Sequence, residues 1–341
     1  MTNVARFRFN STIRQLALSV LTVCLAVLIT GHVCAQMADI VRALEKIPTE
    51  MTLVSFDRGG IELARGGHLQ GIQMRFDAAG NRHVAFLSHD SATVAYLVIV
   101  EFPADLSGDG RIVHVHVFPG DGRSPPLRHA GGIQLLGNLL VVGLEDNQQK
   151  TRSEIQFWNV AKPEQPVQLK HLTIRRSGVP KDKTAGAVGI VKREKDHLLA
   201  VANWDSRAID FYASNGKPLD DPNCRFELEV RWRAASAEKE NWQPDKVYGK
   251  YQALNLIADA EQNLFLIGPH TASGKDFLDL FAIDMRAEPN RLLRKLKSKR
   301  IQLPLSNHFL YAGGVWITKD GLAILSSPRN FNTKTRISIA R

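Results

Sequence analysis

His129 to Val160 reads HAGGIQLLGNLLVVGLEDNQQKTRSEIQFWNV. Small residues lead into a short apolar strand, a tight turn, an apolar run, a polar loop and a third, alternating strand. Short strands bounded by turn residues point to antiparallel sheet. The same grammar returns about every 60 residues, and a fixed period of that kind marks a repeat architecture. The units start at Gly71-Ile72-Gln73-Met74, Gly132-Ile133-Gln134-Leu135, Ala187-Val188-Gly189-Ile190, Ala253-Leu254-Asn255-Leu256 and Gly314-Val315-Trp316-Ile317.

Working outward, the first unit predicts strands over 69–76, 82–87, 93–102 and 111–118. The turn Asp77-Ala78-Ala79-Gly80-Asn81 separates the first two. The fourth unit repeats that turn as Asp259-Ala260-Glu261-Gln262-Asn263, and Asp and Asn suit such turns because they bond their own backbone. The second unit predicts strands near 130–136, 138–144, 153–160 and 166–174. The third predicts 185–192, 197–202, 207–213 and 225–232. The fourth predicts 251–258, 263–267, 277–284 and 297–303. The fifth offers three strands, near 312–318, 321–326 and 334–340.

Four strands per unit with radial repetition is the plan of a β-propeller. The reading is an all-β, five-bladed β-propeller over residues 50–341, with four-stranded antiparallel blades. A ring must join its ends or leave open strand edges. Met51 to Phe56 is spare, so this N-terminal strand is expected to close the last blade. Gly71, Gly132, Ala187, Ala253 and Gly314 then fall where inner strands crowd. A two-sheet sandwich is the competing all-β reading, and it does not explain the period.

Two stretches carry a resemblance. Tyr96-Leu97-Val98-Ile99-Val100-Glu101 resembles the core of the LVIVD-type repeat of bacterial exported propellers. Ile155 to Val167, IQFWNVAKPEQPV, resembles its fuller form, with Asn159 in place of the usual aspartate. The resemblance implies a propeller and an exported setting. It implies no activity, because that broad class, which includes YncE-like proteins, has no single one.

The leader supports export. Arg6, Arg8 and Arg14 precede the apolar stretch Leu16 to Thr30, and Val33-Cys34-Ala35 offers small residues for cleavage, so 1–35 reads as a signal peptide. An uncleaved anchor, or lipidation at Cys34, is the alternative; Gly31-His32-Val33 matches a lipidation lead-in poorly. Residues 36–49 form a helical lead-in, with Ile40, Val41, Leu44 and Ile47 at helical spacing. Cleavage leaves Cys224 alone and no internal disulfide. It also leaves 41 basic against 34 acidic residues, a net +7, which favours acidic partners.

Loops that precede the first strand and follow the second strand of each blade share one face of a propeller. They bring together His68, Gln70, His89, Asp90, His129, Glu145, Asp146, Asn203, Asp205, Lys250, Gln252, His270, Tyr311 and Arg329. Imidazoles, carboxylates and cations together can hold a metal, transfer protons or bind a polar ligand. No particular metal, cofactor or catalytic residue is indicated. The loop Arg233 to Gly249, with Glu238, Glu240, Trp242, Asp245 and Tyr248, is either a lid over this mouth or surface decoration.

Several near-motifs fail. Asp105 to Ile112 starts like a calcium loop, but the twelfth position is His116. His114 and His116 share one strand face, and two ligands alone make no structural zinc site. Gly268 to Lys275 is one residue too long for a phosphate-binding loop. The run Arg291–Arg300 could grip an anionic surface, yet lysine-rich edges also guard outer strands. It lacks the aromatic interleaving of single-strand nucleic-acid binders.

The functional expectation is an exported protein that binds a small polar ligand or an envelope protein through the loop face. One rival is a hydrolase or lyase acting on a carbohydrate or lactone, with Asp90, Glu145, Asp146 and Asp205 as candidate carboxylates. The other is an envelope scaffold on an anionic surface.

Overall fold

The computed structural model describes residues 39–304, 307–318 and 321–341. The leader expectation over 1–35 lies outside the described residues. The strands are β1 (Thr52–Asp57), β2 (Leu69–Asp77), β3 (Arg82–His89), β4 (Tyr96–Pro103), β5 (Gly110–Val117), β6 (His129–Leu136), β7 (Leu139–Glu145), β8 (Arg152–Asn159), β9 (Val167–Gln168), β10 (Ile174–Ser177), β11 (Ala187–Lys192), β12 (His197–Ala202), β13 (Ala208–Ser214), β14 (Phe226–Arg233), β15 (Asn255–Ala258), β16 (Leu264–Ala272), β17 (Lys275–Ile283), β18 (Leu293–Ile301), β19 (Asn307–Thr318), β20 (Gly321–Pro328) and β21 (Lys334–Ala340). One helix, α1 (Ile40–Lys46), precedes them.

Neighbours in each sequential run pair antiparallel: β2 to β5, β6 to β8, β11 to β14 and β15 to β18. The last run, β19 to β21, takes its fourth strand from the other end of the chain. β1 pairs antiparallel with β21, Thr52 opposite Ile339 through Asp57 opposite Lys334. Between runs the hydrogen-bonded link shrinks to single parallel pairs, Gly313 with Gly71 and Ala187 with Gly132. β1 also touches β5 over Phe56–Gly110 and Asp57–Arg111, so the order β1-β21-β20-β19-β2-β3-β4-β5 closes on itself.

The core explains why the strands read as nearly continuous apolar runs. β3 is buried from His83 to His89. Successive side chains on a strand point to opposite faces. Ala85 and Leu87 join one cluster, with Val54, Phe56 and Trp316, while Val84 and Phe86 join another, with Ile133, Leu140 and Trp158. In β7, Leu140 and Val142 face that second cluster, and Val141 faces a third with Leu199 and Val201. In β12, Leu198 and Ala200 face a fourth with Leu266 and Phe281. A fifth joins Leu278 and Leu280 to Ile324 and Ala340. Each run therefore packs both faces against its neighbours, and the order of clusters returns to its start. The arrangement is all-β and propeller-like.

The small residues sit where anticipated. A Cβ added at Gly71 would lie 2.7 Å from the Ile133 nitrogen, and one at Gly132 would lie 2.7 Å from the Ala253 Cα. Gln134 stitches the same zone: its Oε1 accepts from Ile190 N and Leu256 N, both at 2.9 Å, and its Nε2 donates to Leu256 O.

Some local expectations change. The strand near 166–174 breaks into β9 and β10 around a 3-10 turn, Lys170–Leu172, which tucks Leu172 into the core. The two look-alike turns differ, with the left-handed residue at Asn81 in one and Gln262 in the other. His114 and His116 do not share a freely solvated face, because His116 packs 4.4 Å from Trp158 and burial lowers its pKa. Asp105 accepts from Ser107 N and Oγ, which makes that segment a local turn.

The basic run Arg291–Arg300 is mostly spent internally, contrary to its reading as an open anionic-surface grip. It forms much of β18. Lys295 is buried and pairs with Asp279 at 3.0 Å. Lys297 pairs with Glu45 of α1, and Lys299 donates to the carbonyls of Leu44, Glu45 and Ile47. Cations at a helix C-terminus meet its free carbonyls and the negative end of its dipole. The run docks the helix onto the sheet.

Candidate functional site

Residues far apart in sequence meet at the start of β2 and β6. His68 stands just before β2, and its Nδ1 lies 3.0 Å from Asp90 Oδ1, just after β3. His129 opens β6 directly opposite Glu145, the last residue of β7, with Nδ1 3.1 Å from Oε1. Gln70 joins the two, because its Nε2 lies 2.8 Å from the Nε2 of both His68 and His129. Gln70 is 2% exposed, and its Oε1 has no hydrogen-bond partner among the described residues. A buried acceptor left without a partner costs about 1–3 kcal/mol, so it marks a place where a further donor would be welcome.

The charges here are not free to vary. Burial works against a charged His129, but Glu145 and Asp90 outweigh it and hold the imidazole above its ordinary value. Burial pulls the Asp90 carboxyl up, but His68 and His129 hold it below its ordinary value. His89 goes the other way: burial, against Asp90, pushes it down to about 4. It packs between Tyr96 and Phe331. Glu145 is fully enclosed and also accepts from Ala185 N at 2.7 Å.

Two aromatic residues flank this floor, each carrying a cation. Trp204 lies 6.4 Å from the His129 ring, and Lys150 Nζ sits 3.6 Å above the Trp204 ring. Tyr311 lies 6.3 Å from the His68 ring, and the Arg329 guanidinium lies 5.9 Å from the Tyr311 ring. Among the described residues, neither cation has a carboxylate at ion-pair distance. The Trp204 loop is held in place: Trp204 N donates to Thr184 Oγ1, Asn203 Oδ1 accepts from Ala208 N, and Ser206 Oγ donates to Tyr251 O. These bonds hold Asp205 and Ser206 at φ 58° and 53°. Such left-handed conformations persist for non-glycine residues only where the surroundings impose them. Beside Tyr311 opens a pocket of about 340 Å³ lined by His308, Tyr311, Pro328, Arg329, Asn330 and Asn332.

The structure thus gathers His68, Gln70, Asp90, His129, Glu145, Tyr311 and Arg329, with His89 alongside. Others named from sequence serve different ends. Asp146 accepts from the backbone of Gln149, Thr151 and Arg152, so its carboxylate builds its own loop. Asn203 caps the Trp204 turn. Asp205 pairs with Lys250 at 3.5 Å on the rim. Gln252 lies at the crowded axis, against Gly132. His270 belongs to a separate buried cluster, with Nε2 3.2 Å from Asp279 Oδ2.

The loop Arg233–Gly249 is neither lid nor decoration. Trp242 is 3% exposed and donates Nε1 to Leu293 O, and Tyr248 packs on Trp232 and Tyr251. Asp245 pairs with Lys295. The loop plugs the core between β11–β14 and β15–β18 because its aromatics outweigh its charges. Trp204, Lys150 and His308 were missed from sequence. A tryptophan and a lysine inside polar loops beside Asn203 and Asp146 were the available signal. Among the described residues no cluster of three or more His, Cys, Asp or Glu could hold a metal ion, and no helix is long and apolar enough to cross a membrane.

No family model matches the chain, and no curated protein matches it. Among solved structures it is similar to an endo-arabinase from Bacteroides thetaiotaomicron VPI-5482, at 10% identity over 85% of this chain and 97% of that one, with a TM-score of 0.50. It is also similar to an exo-beta-1,3-galactanase from Phanerochaete chrysosporium, at 9% identity over 85% of this chain and 64% of that one, with a TM-score of 0.49. At such identities the first likeness supports the propeller-like fold alone.

Proposed function

We propose that this chain is an exported five-bladed propeller that recognises a saccharide at the loop face around His68, Gln70 and His129. The blade count rests on the runs β2–β5, β6–β10, β11–β14 and β15–β18, with β1 completing β19–β21. Export rests on the basic and apolar leader and on the LVIVD-like stretches, one of which lies in β4 and the other in and after β8. The observation that carries the binding reading is the Gln70 side chain, buried between two imidazoles with one end of its amide unpartnered. A polyhydroxylated ligand brings hydroxyls that donate and accept, and the neighbouring pocket sets the Tyr311 ring and Pro328 beside His308, Arg329, Asn330 and Asn332, polar groups that can fix a ligand's orientation. An endo-arabinase shares the general fold, which makes carbohydrate the first class to test.

A hydrolase acting on carbohydrate is the second reading. Its support is that Asp90 and Glu145 approach His129 from opposite ring nitrogens, at 4.0 and 3.1 Å. Glycoside hydrolysis needs a carboxyl that protonates and another that attacks or activates water. Glu145 is already engaged by His129 and Ala185 N, and Asp90 is held in its ionised form, so binding is the stronger reading.

The test is a thermal-shift screen of the chain against neutral and acidic oligosaccharides. A ligand at 100 times its Kd adds about 2.7 kcal/mol of apparent stability. The expected hit is lost in Gln70→Ala and Tyr311→Ala. A flat screen overturns saccharide recognition. Release of reducing sugar that disappears in Asp90→Asn would move the protein to the hydrolase reading.

A further inference from the structure

The carboxylates and the cations of this mouth are used very differently. Asp90 is bound by His68, Glu145 by His129 and Ala185 N, Asp146 by its loop, and Asp205 by Arg207 and Lys250. Every candidate carboxylate already has its partners. Lys150 and Arg329 do not: each lies on an aromatic ring, and neither meets a carboxylate among the described residues. A ring face holds a cation by its quadrupole without neutralising it. The positive charge therefore stays available while its position is fixed.

The arrangement is also two-sided. Arg329, Tyr311 and His68 run up to one side of Gln70, and Lys150, Trp204 and His129 run up to the other. The cations stand at the outer ends, and the Gln70 amide, its Nε2 against both imidazoles, lies between. Arg329 lines the pocket itself. A neutral sugar would use the middle of this arrangement and leave both ends unanswered. A ligand with hydroxyls in the middle and acid groups toward the ends would answer all three.

We infer that the saccharide is acidic: a chain of sugar acids whose carboxylates meet Arg329 on one side and Lys150 on the other, with a hydroxyl at the free end of the Gln70 amide. The inference rests on the saccharide reading above and adds the charge. The long-range field agrees in sign, because the whole chain carries a formal +10 and a positive surface draws anionic ligands.

Calorimetry on the full chain tests this with a galacturonic acid trimer and the corresponding neutral galactose trimer, which differ in carrying a carboxylate or a hydroxymethyl group at C6 of each ring. The acidic trimer is expected to bind at least about tenfold tighter, the size of a hydrogen bond to a charged group. Its affinity should fall as salt is raised. Arg329→Met and Lys150→Met should each lose about tenfold toward the acidic trimer and so narrow its advantage over the neutral one. Both sites lie at the surface, and unaltered melting of the variants checks their folding. Equal affinity for the two trimers, or variants that weaken both alike, overturns the acidic ligand and leaves saccharide recognition standing. Binding of neither trimer to the folded protein overturns both.

Discussion

The molecule contains two imidazole–carboxylate pairs of nearly the same length. His129 meets Glu145 at 3.1 Å, and His270 meets Asp279 at 3.2 Å. Their surroundings separate them. Around His270 the carboxylate is crowded: Tyr251 donates to Asp279 at 2.6 Å, Lys295 pairs with the same oxygen, and Trp242 and Tyr248 pack beside them, although Tyr248 Oη and Asp279 Oδ1 have no hydrogen-bond partner among the described residues. Burial drives the hydroxyls of Tyr248 and Tyr251 well above their ordinary values, so both stay protonated. Around His129 the network ends in an unpartnered amide oxygen and two ring-mounted cations. The same pair holds a blade together in one place and forms the floor of a site in the other. What separates them is the cation: Lys295 lies on the carboxylate of the one, while Lys150 and Arg329 stand on aromatic rings beside the other with no carboxylate at ion-pair distance among the described residues.

The largest expected effect lies in the sealed cluster. Asp279→Ala would leave Lys295, 1% exposed, without its buried counter-charge. Removing one partner of a buried pair costs about 3–5 kcal/mol. The midpoint of a urea melt should fall accordingly, and the double variant Asp279→Leu with Lys295→Met should recover most of it. A loss as small as that of a surface pair would mean the cluster is not sealed, and the contrast with the mouth would collapse.

The next effect separates the regions by pH. His89, beside the mouth, titrates at about 4 in the fold against an ordinary 6.5. Its neutral form is favoured by folding, so the contribution is intact above pH 6.5 and is lost as pH falls toward 4. That loss amounts to about 3 kcal/mol. Asp279 is displaced downwards despite its burial, because His270 and Lys295 favour its charge. Its contribution is intact above the ordinary carboxylate value and is lost only at more acidic pH. Stability measured from pH 7 to 3 should therefore fall in two windows, and His89→Phe should shrink the first, leaving the smaller share of His83, His116 and His197, and not touch the second.

The smallest effect probes the floor of the mouth. In Glu145→Gln the anion that raises His129 is gone, so the His129 ring resonances should titrate at lower pH. Stability should drop by about 1–3 kcal/mol. The wild-type contribution of His129 is full below 6.5 and is lost as pH rises through its raised value, so the gap between variant and wild type should narrow on the alkaline side. An unmoved titration would show that Glu145 does not set the charge of the floor.

Much of this was legible from the residues alone. Apolar runs and turn residues placed strands such as β2, β3 and β8 within a few positions, because a strand buried on both faces must be apolar along most of its length. The spare N-terminal strand was legible by the same logic, since an unpaired edge has to be covered. His68, Gln70, Asp90, His129 and Glu145 were within reach because they stand at matching points of a repeat. Asp146 and His270 could not be sorted from them, since a sequence shows that a polar residue stands in a loop but not how many backbone N–H groups already bond it. The loop from Arg233 to Gly249 misled for a related reason: its charges are conspicuous, but Trp242 and Tyr248 decide where it goes, and the energy of burying two aromatic rings exceeds that of a few solvated ion pairs.

Period, strand order and net charge are properties of the chain as written, because each follows from local pattern and composition. The division of polar residues between structure and site is not. Lys295 and Lys150 are alike in sequence, each a lysine near acidic and aromatic residues. One is enclosed against Asp279, and the other stands on Trp204 without a counter-charge. That difference arises only when sheets distant in sequence close against each other, and with it comes the open charge from which an acidic ligand is inferred.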